Sequence, residues 1–283
     1  MPLVPLQEIL IDARQRCYAI GGFDTWSVDS IQAIAAAAEE TQSPALILAE
    51  PEEIHYVGAE YYISAALLAA RKASVPIAIQ WNETDSFDEA VRAMALGFNA
   101  VMIENRGLPP QAYAVVLKDV VKVARPLGVS VQGEVGDMPE GHGAEIVEAG
   151  DLSTPDAARH FVDETGVDVL AVPFGNVHGL RDRQARLDLE HLTRMGRAAA
   201  VPLVAHGSTG IAPEDFPEII RAGVGIFQVG TTLRLAYLGG EAELPQAERG
   251  YVAPMVRKMA GARVALQRRA SELMVAYRSA GKA

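Results

Sequence analysis

Two histidines, each closing an apolar run and each followed by glycine, are the residues of this chain best suited to chemistry. Val201-Pro-Leu-Val-Ala-His-Gly-Ser-Thr-Gly-Ile211 carries apolar and small residues into His206, then into a glycine-rich turn. Pro213 and the acidic pair after it read as a helix start. Upstream, Val167-Asp-Val-Leu-Ala-Val-Pro-Phe-Gly-Asn-Val-His-Gly179 repeats the pattern around His178. Downstream, Val224-Gly-Ile-Phe-Gln-Val-Gly-Thr-Thr232 ends in glycine and hydroxyls. Neutral imidazoles are ligands for zinc and its neighbours, and two of them with a carboxylate and an open position form a recognised catalytic set. A lone histidine at a strand end is usually a hydrogen-bonded structural residue. Two on successive strands, both followed by glycine, shift the balance to metal. His55, His142, His160 and His191 fall in loops or helices and gain no such role.

Such residues must be positioned by strands, and the chain supplies eight. Apolar runs over 17–23, 45–49, 75–81, 99–104 and 129–134 alternate with amphipathic or alanine-rich stretches that carry helix caps. The runs ending at His178, at His206 and near Val229 complete the set. Eight alternations predict an α/β fold, a (β/α)8 TIM barrel spanning 1–283 as a single domain, with extra C-terminal helices at about 250–280. A doubly wound open sheet is the alternative. Residues 5–15 suit a short helix closing the bottom of the barrel, and Gly136 to Ser153 form a long loop of the functional kind.

Barrel active sites lie at the carboxyl ends of the strands. The polar residues there are Asp24, Asn82, Glu83, Glu104, Glu134, His178, His206, Gln228 and Thr231. Gly179, Gly207-Ser208 and Gly230-Thr231 follow the last three strands, where backbone N–H groups, a hydroxyl and a helix N-terminus cradle phosphate. The competing account is that these glycines only permit tight turns. Arg181 or Arg183 stands close enough in sequence to close over such an anion.

Composition agrees. The 283 residues are 49% hydrophobic and only 6% aromatic, as parallel strands buried on both faces require. A net charge of −11 argues against nucleic acid or an anionic membrane as partner. It leaves room for a small phosphorylated substrate held by local donors. The single cysteine, Cys17, fits a reducing compartment, and no signal or spanning segment stands out, so a soluble, cytoplasmic protein is expected. The apolar tail from Val252 to Met274 predicts a homo-oligomer, a dimer or tetramer.

Tyr18-Ala-Ile-Gly-Gly-Phe23, Thr165-Gly-Val-Asp-Val-Leu-Ala-Val172, Gly175-Asn-Val-His-Gly179, Pro202-Leu-Val-Ala-His-Gly-Ser-Thr-Gly210 and Ser279-Ala-Gly-Lys-Ala283 together resemble the class II fructose-bisphosphate and tagatose-bisphosphate aldolases. The resemblance implies a zinc-dependent barrel that cleaves or forms a ketose phosphate through an enediolate. It matches His178 and His206 to zinc ligands and Glu134 to the acidic residue near the metal. Gly179, Gly207, Ser208 and Thr231 match positions around the ketone phosphate. Gln228 stands where the family carries an asparagine that contacts the same substrate.

The departures define the expectation further. Where the family has His-Leu-Asp-His, with its proton-transferring aspartate and third zinc ligand, this chain has Gln80-Trp-Asn-Glu83. Asn82 cannot take up a proton at ordinary pH, whereas Glu83 can bind metal. Beyond the fourth strand the family's Asp-Gly-Ser is Glu104-Asn-Arg106, and near the first strand Asp24 and Trp26 replace small amides. The ketone-phosphate half of the site is thus expected to be kept and the aldehyde half rebuilt, with Glu83, Glu104 or Asp24 handling protons. Zinc or another divalent metal is expected on His178, His206 and a carboxylate, Glu83 ahead of Glu134. An isomerase or epimerase working through the same enediol, and a sugar-phosphate-binding paralogue without turnover, are the alternatives.

Overall fold

Alternation along the strands decides this fold, because it sorts every strand residue into one of two cores. A computed structural model describes residues 3–105, 107–148, 152–180, 184–240 and 255–283. Its strands are β1 (Ile20–Asp24), β2 (Ala45–Ala49), β3 (Ile77–Thr84), β4 (Ala100–Ile103), β5 (Ser130–Glu134), β6 (Glu140–Gly143) and β7 (Glu145–Glu148). After them come β8 (Val169–Ala171), β9 (His178–Leu180), β10 (Leu203–Ala205) and β11 (Val224–Val229). The helices are α1 (Leu6–Arg16), α2 (Val28–Thr41), α3 (Pro51–Val57), α4 (Ala59–Lys72), α5 (Phe87–Leu96) and α6 (Pro110–Leu127). They continue as α7 (Pro155–Thr165), α8 (Leu189–Ala199), α9 (Phe216–Arg221), α10 (Thr231–Gly240) and α11 (Met255–Ala276).

Eight strands close into a parallel barrel in the order β1-β2-β3-β4-β5-β8-β10-β11, as the eight alternations predicted. On β3, Ile77, Ile79 and Trp81 join the core between strands and helices. Ala78 points the other way, into the barrel lumen, with Ile20, Leu46, Leu48, Ala100, Val169, Ala171, Val204 and Ile226. Leu6, Ile9, Leu10 and Ala13 of α1 belong to that lumen core, so α1 closes the bottom of the barrel as expected. The even residues of β3 above Ala78 are Gln80 and Asn82, and alternation sends both into the upper lumen.

Two local expectations need correction. The sixth strand does not run on to His178: β8 stops at Ala171, before Pro173. Gly175 then turns at φ +98°, where a Cβ would stand 2.1 Å from the carbonyl oxygen of Arg186. The chain re-extends as β9 and pairs with β6, so His178 hangs beside the mouth rather than on the barrel wall. The long loop after β5 is also not structureless, because it folds into the hairpin β6–β7, giving a small sheet in the order β7-β6-β9. Helix α3, opened by Pro51 at its first turn, was not foreseen and proves to line the site.

The C-terminal helix α11 packs on α2 and α10, burying Leu266, Ala270, Leu273 and Met274. Val256, Val264 and Val275 of the same helix are exposed, as are Leu235 and Leu238 of α10. No helix among the described residues is long and apolar enough to cross a membrane.

Candidate active site

The upper lumen is polar, and its polarity is organised as one hydrogen-bonded set of amides. Gln80, Asn82, Gln132, Gln228 and His206 are all at most 5% exposed. Gln80 Nε2 donates to Asn82 Oδ1 at 2.8 Å and to Gln132 Oε1 at 3.2 Å. Gln228 Nε2 donates to the same two oxygens, at 3.2 and 3.1 Å. Gln132 Nε2 lies 3.0 Å from His206 Nε2. Shared hydrogen bonds hold these amides in place, although Gln80 Oε1 and Gln228 Oε1 are buried without a partner.

His206 is therefore fixed in orientation. Burial, with His178 nearby, holds its pKa down to about 3, so the ring is a neutral imidazole throughout the physiological range. The rings of His178 and His206 stack with centroids 5.5 Å apart. His178 Nδ1 is 2.9 Å from Glu140 Oε1. Glu140 is thus an outer partner of the kind that orients an imidazole ligand in a metal site. Gln132 Nε2, by contrast, can only donate, so His206 Nε2 accepts from it and the ring proton rests on Nδ1, a proton that must be given up for that atom to bind a metal. His206 Nδ1 faces Glu83 Oε1 at 3.9 Å. That is too far for a hydrogen bond, and within the span of two donors about 2.0–2.2 Å from one ion. Among the described residues, no three His, Cys, Asp or Glu side chains are already gathered closely enough to hold a metal. The donor types fit a zinc-like ion, and closing the set requires His178 or Glu83 to shift.

Glu83 itself is held unusually. Its φ of +52° is left-handed, a conformation a non-glycine residue adopts at a cost and which concentrates at functional sites. Burial and the nearby carboxylates of Glu50, Glu104 and Asp24 raise its pKa well above the usual carboxylate range.

Carboxylates dominate this arc of the mouth, above β1, β2 and β3. Asn82 Nδ2 donates to Glu50 Oε1 at 3.2 Å and to Glu83 Oε1 at 3.3 Å. Arg234, on the first turn of α10, bridges Asp24 at 3.2 Å and Glu53 at 2.8 Å. Gly230 is what lets Asp24 in, since a Cβ there would lie 1.8 Å from Asp24 Oδ2. Burial first and Glu50 second push the Asp24 carboxyl upward, with Arg234 opposing them.

The adjoining arc, above β8, β10 and β11, presents Gly179, Gly207, Ser208, Thr209, Gly230 and Thr231. Gly207 sits at φ +60°, where a Cβ would meet the Val177 carbonyl oxygen at 2.5 Å. Ser208 heads a single 3-10 turn, its hydroxyl donating to Ala205 O at 3.0 Å. Thr231 begins α10, so that helix directs its N-terminus at the same space.

Both arcs line one cavity of about 440 Å³, which gathers Asp24, Asn82, Glu83, His178, Gly179, His206, Gly207, Ser208, Gln228 and Thr231. Glu104 and Glu134 do not line it. Glu134 Oε1 instead accepts from the Asn105 backbone N–H at 2.6 Å. Burial, aided by Glu104, lifts the Glu134 pKa to about 7 against that hydrogen bond. Glu104 is half-buried at the end of β4. Arg181 lies outside the described residues, as does Arg183. Gln132, Glu50, Glu53, Arg234 and Glu140 were not singled out from sequence. The first was readable, because it stands two residues before Glu134 on the same strand face. The glutamates of α3 were not, since that helix itself was unforeseen.

The comparisons with known proteins agree with this geometry. A family model described as fructose-bisphosphate aldolase class-II matches residues 4–282. A fructose-bisphosphate aldolase from Staphylococcus aureus is 31% identical over 240 residues, covering 83% of this chain and 84% of that protein. Among solved structures, the YdjI aldolase from Escherichia coli aligns over 99% of both chains with a TM-score of 0.86 and 27% identity.

Proposed function

Because this chain belongs to the class II fructose-bisphosphate aldolase family, carbon–carbon lyases of the aldol type, we propose that it is a divalent-metal aldolase of a ketose phosphate. The observation that carries this reading is the pair of oriented imidazoles, His178 and His206, beside Glu83 in the cavity that also holds the glycine and hydroxyl turns. A divalent ion, zinc by its affinity for imidazole, would be held by His178, His206 and Glu83 and would polarise the substrate ketone.

The remaining chemistry falls to the chain's own groups. Backbone N–H groups at Gly179, Gly207 and Ser208, with Thr231 at the start of α10, bind the phosphate of the ketone fragment without needing a positive protein. Asn82 orients hydroxyls but transfers no proton. Glu50 is one hydrogen bond beyond Asn82 and lines the cavity, so it is the group we assign to accept and return the hydroxyl proton at the cleaved bond. Glu104, off the cavity, tunes Glu83 by charge.

Two assays test the assignment together. Metal-loaded protein should exchange the α-proton of dihydroxyacetone phosphate with solvent and should cleave a ketose 1-phosphate. Exchange without any cleavage would move the assignment to an isomerase, and neither would leave a binding protein. At the phosphate arc, Ser208→Val should raise KM for a phosphorylated ketose at least about tenfold, ~1.4 kcal/mol of binding, while circular dichroism reports an unchanged fold. Equal use of phosphorylated and unphosphorylated ketones by the natural protein would remove the anion site.

The exposed apolar residues of α10 and α11 support a homo-oligomer, a dimer or tetramer, since Leu238 and Val256 are both 74% exposed. Light scattering at micromolar concentration should report at least twice the chain mass. A monomer under those conditions would count against the assignment.

A further inference from the structure

We infer that the carboxylate arc of the cavity selects an aldehyde that bears neither phosphate nor carboxylate, recognising it through its hydroxyl groups at Asp24, Glu50 and Glu53. The inference rests on the aldolase reading and names the second substrate of that reaction. Three observations carry it.

The first is the division of the mouth. Barrel order places β1, β2 and β3 side by side and β8, β10 and β11 side by side. Acidic residues therefore occupy one continuous arc and the phosphate-type turns another, the two meeting at the β1–β11 seam, where Gly230 abuts Asp24. A ketone fragment bound by its phosphate at the second arc directs its reacting carbon, and the incoming aldehyde, toward the first.

The second is charge. Asp24, Glu50, Glu52, Glu53 and Glu83 all line the cavity. Against them stands Arg234, the one guanidinium or ammonium among the described lining residues. It is spent on Asp24 at 3.2 Å and Glu53 at 2.8 Å. A second phosphate would have to displace two carboxylates from that arginine and then sit among them. Like charges brought together in a concave, partly desolvated site are a strong discriminator.

The third is hydrogen-bonding capacity. Glu53 Oε2, on the acidic arc, is buried without a hydrogen-bond partner. It is an acceptor, to which a hydroxyl can donate and a phosphate dianion cannot. Sites built from unsatisfied acceptors favour a ligand that brings donors.

The experiment uses the full chain loaded with zinc and dihydroxyacetone phosphate as donor. Condensation is compared for glyceraldehyde 3-phosphate and a panel of uncharged two- to four-carbon hydroxyaldehydes, both enantiomers of glyceraldehyde included. Deuterium exchange into dihydroxyacetone phosphate is measured without aldehyde. The expected result is exchange, together with a kcat/KM at least about 100-fold higher for the best uncharged aldehyde than for glyceraldehyde 3-phosphate. Exchange with glyceraldehyde 3-phosphate used as well as or better than every uncharged aldehyde overturns the inference and leaves the aldolase reading standing. Absence of both exchange and condensation overturns the two together. The Asp24→Asn/Glu53→Gln protein, which releases Arg234, should narrow the preference at least about tenfold. An unchanged preference in that folded variant overturns the assignment to these residues, and the natural protein's substrate ratio stands as the test if the variant does not fold.

Discussion

Aldol cleavage by the His206→Gln protein is expected to fall by at least about 10³-fold, with loss of stoichiometric metal, and chelation of the natural protein should give the same fall. The size follows from what a Lewis acid supplies to a developing oxyanion, several kcal/mol at about 1.4 kcal/mol per tenfold. His206 is the right place to remove it. The ring is 5% exposed, is held neutral, and is pinned through Nε2 by Gln132 at 3.0 Å. Glutamine is chosen over alanine so that the buried Gln132 amide keeps a polar neighbour, which separates loss of the ligand from collapse of the amide network. Elemental analysis beside the cleavage rate makes the comparison. Chelated protein that retains full activity, or a His206→Gln protein with both metal and activity intact, would remove His206 from the metal set. Restoration of the chelated natural protein by zinc, and its failure in the variant, is the expected pattern.

How much of this was legible without coordinates follows from the range over which each interaction acts. The barrel was legible because strand alternation and helix periodicity are local, and the His206-Gly207 sequence marked the end of its strand directly. The glycine and hydroxyl turns were legible for the same reason, since a turn such as Gly207-Ser208 is built by neighbours in sequence. What joins the two arcs was not. Gln132 meets His206 across a sequence separation of 74, and Arg234 meets Glu53 across 181. Nothing local encodes such pairings; they arise from how closure of the barrel brings strand ends together. The position of His178 was misjudged because an apolar run interrupted by Pro173 and Gly175 looks continuous until β9 is seen pairing with β6 instead of with the barrel. Glu134 shows the other limit. Its strand and face follow from alternation, yet its carboxylate turns to the Asn105 backbone and off the cavity, a side-chain choice that pattern does not reveal.

Replacing Asn82 by aspartate, the residue that the resemblance to the class II aldolases implies at this place, is expected not to create a fructose-bisphosphate aldolase. Fructose 1,6-bisphosphate cleavage by the natural protein should be weak, and the Asn82→Asp protein should cleave it no faster while losing about 2–3 kcal/mol of stability. Asn82 is 1% exposed, and its amide nitrogen donates to Glu50 at 3.2 Å and to Glu83 at 3.3 Å. An aspartate in that place would lose both amide donations and add a further carboxylate to a buried group whose members already disfavour one another's charge. The acidic arc and the amide therefore belong together: with glutamate at positions 50 and 83, the residue between them has to donate. Cleavage chemistry then rests on Glu50, and Glu50→Gln alone should lower cleavage of a good substrate by about 10²-fold or more while α-proton exchange persists. Combining the two changes reverses the logic, because the glutamine amide can donate to the new aspartate and the proton acceptor moves back to position 82. Asn82→Asp/Glu50→Gln should accordingly exceed the Glu50→Gln protein in cleavage at least about tenfold and recover stability relative to Asn82→Asp. Rates of cleavage and exchange with urea unfolding of the four proteins complete the cycle. An Asn82→Asp protein that is as stable as the natural one and cleaves fructose 1,6-bisphosphate well would show that Glu50 and Glu83 do not impose the amide.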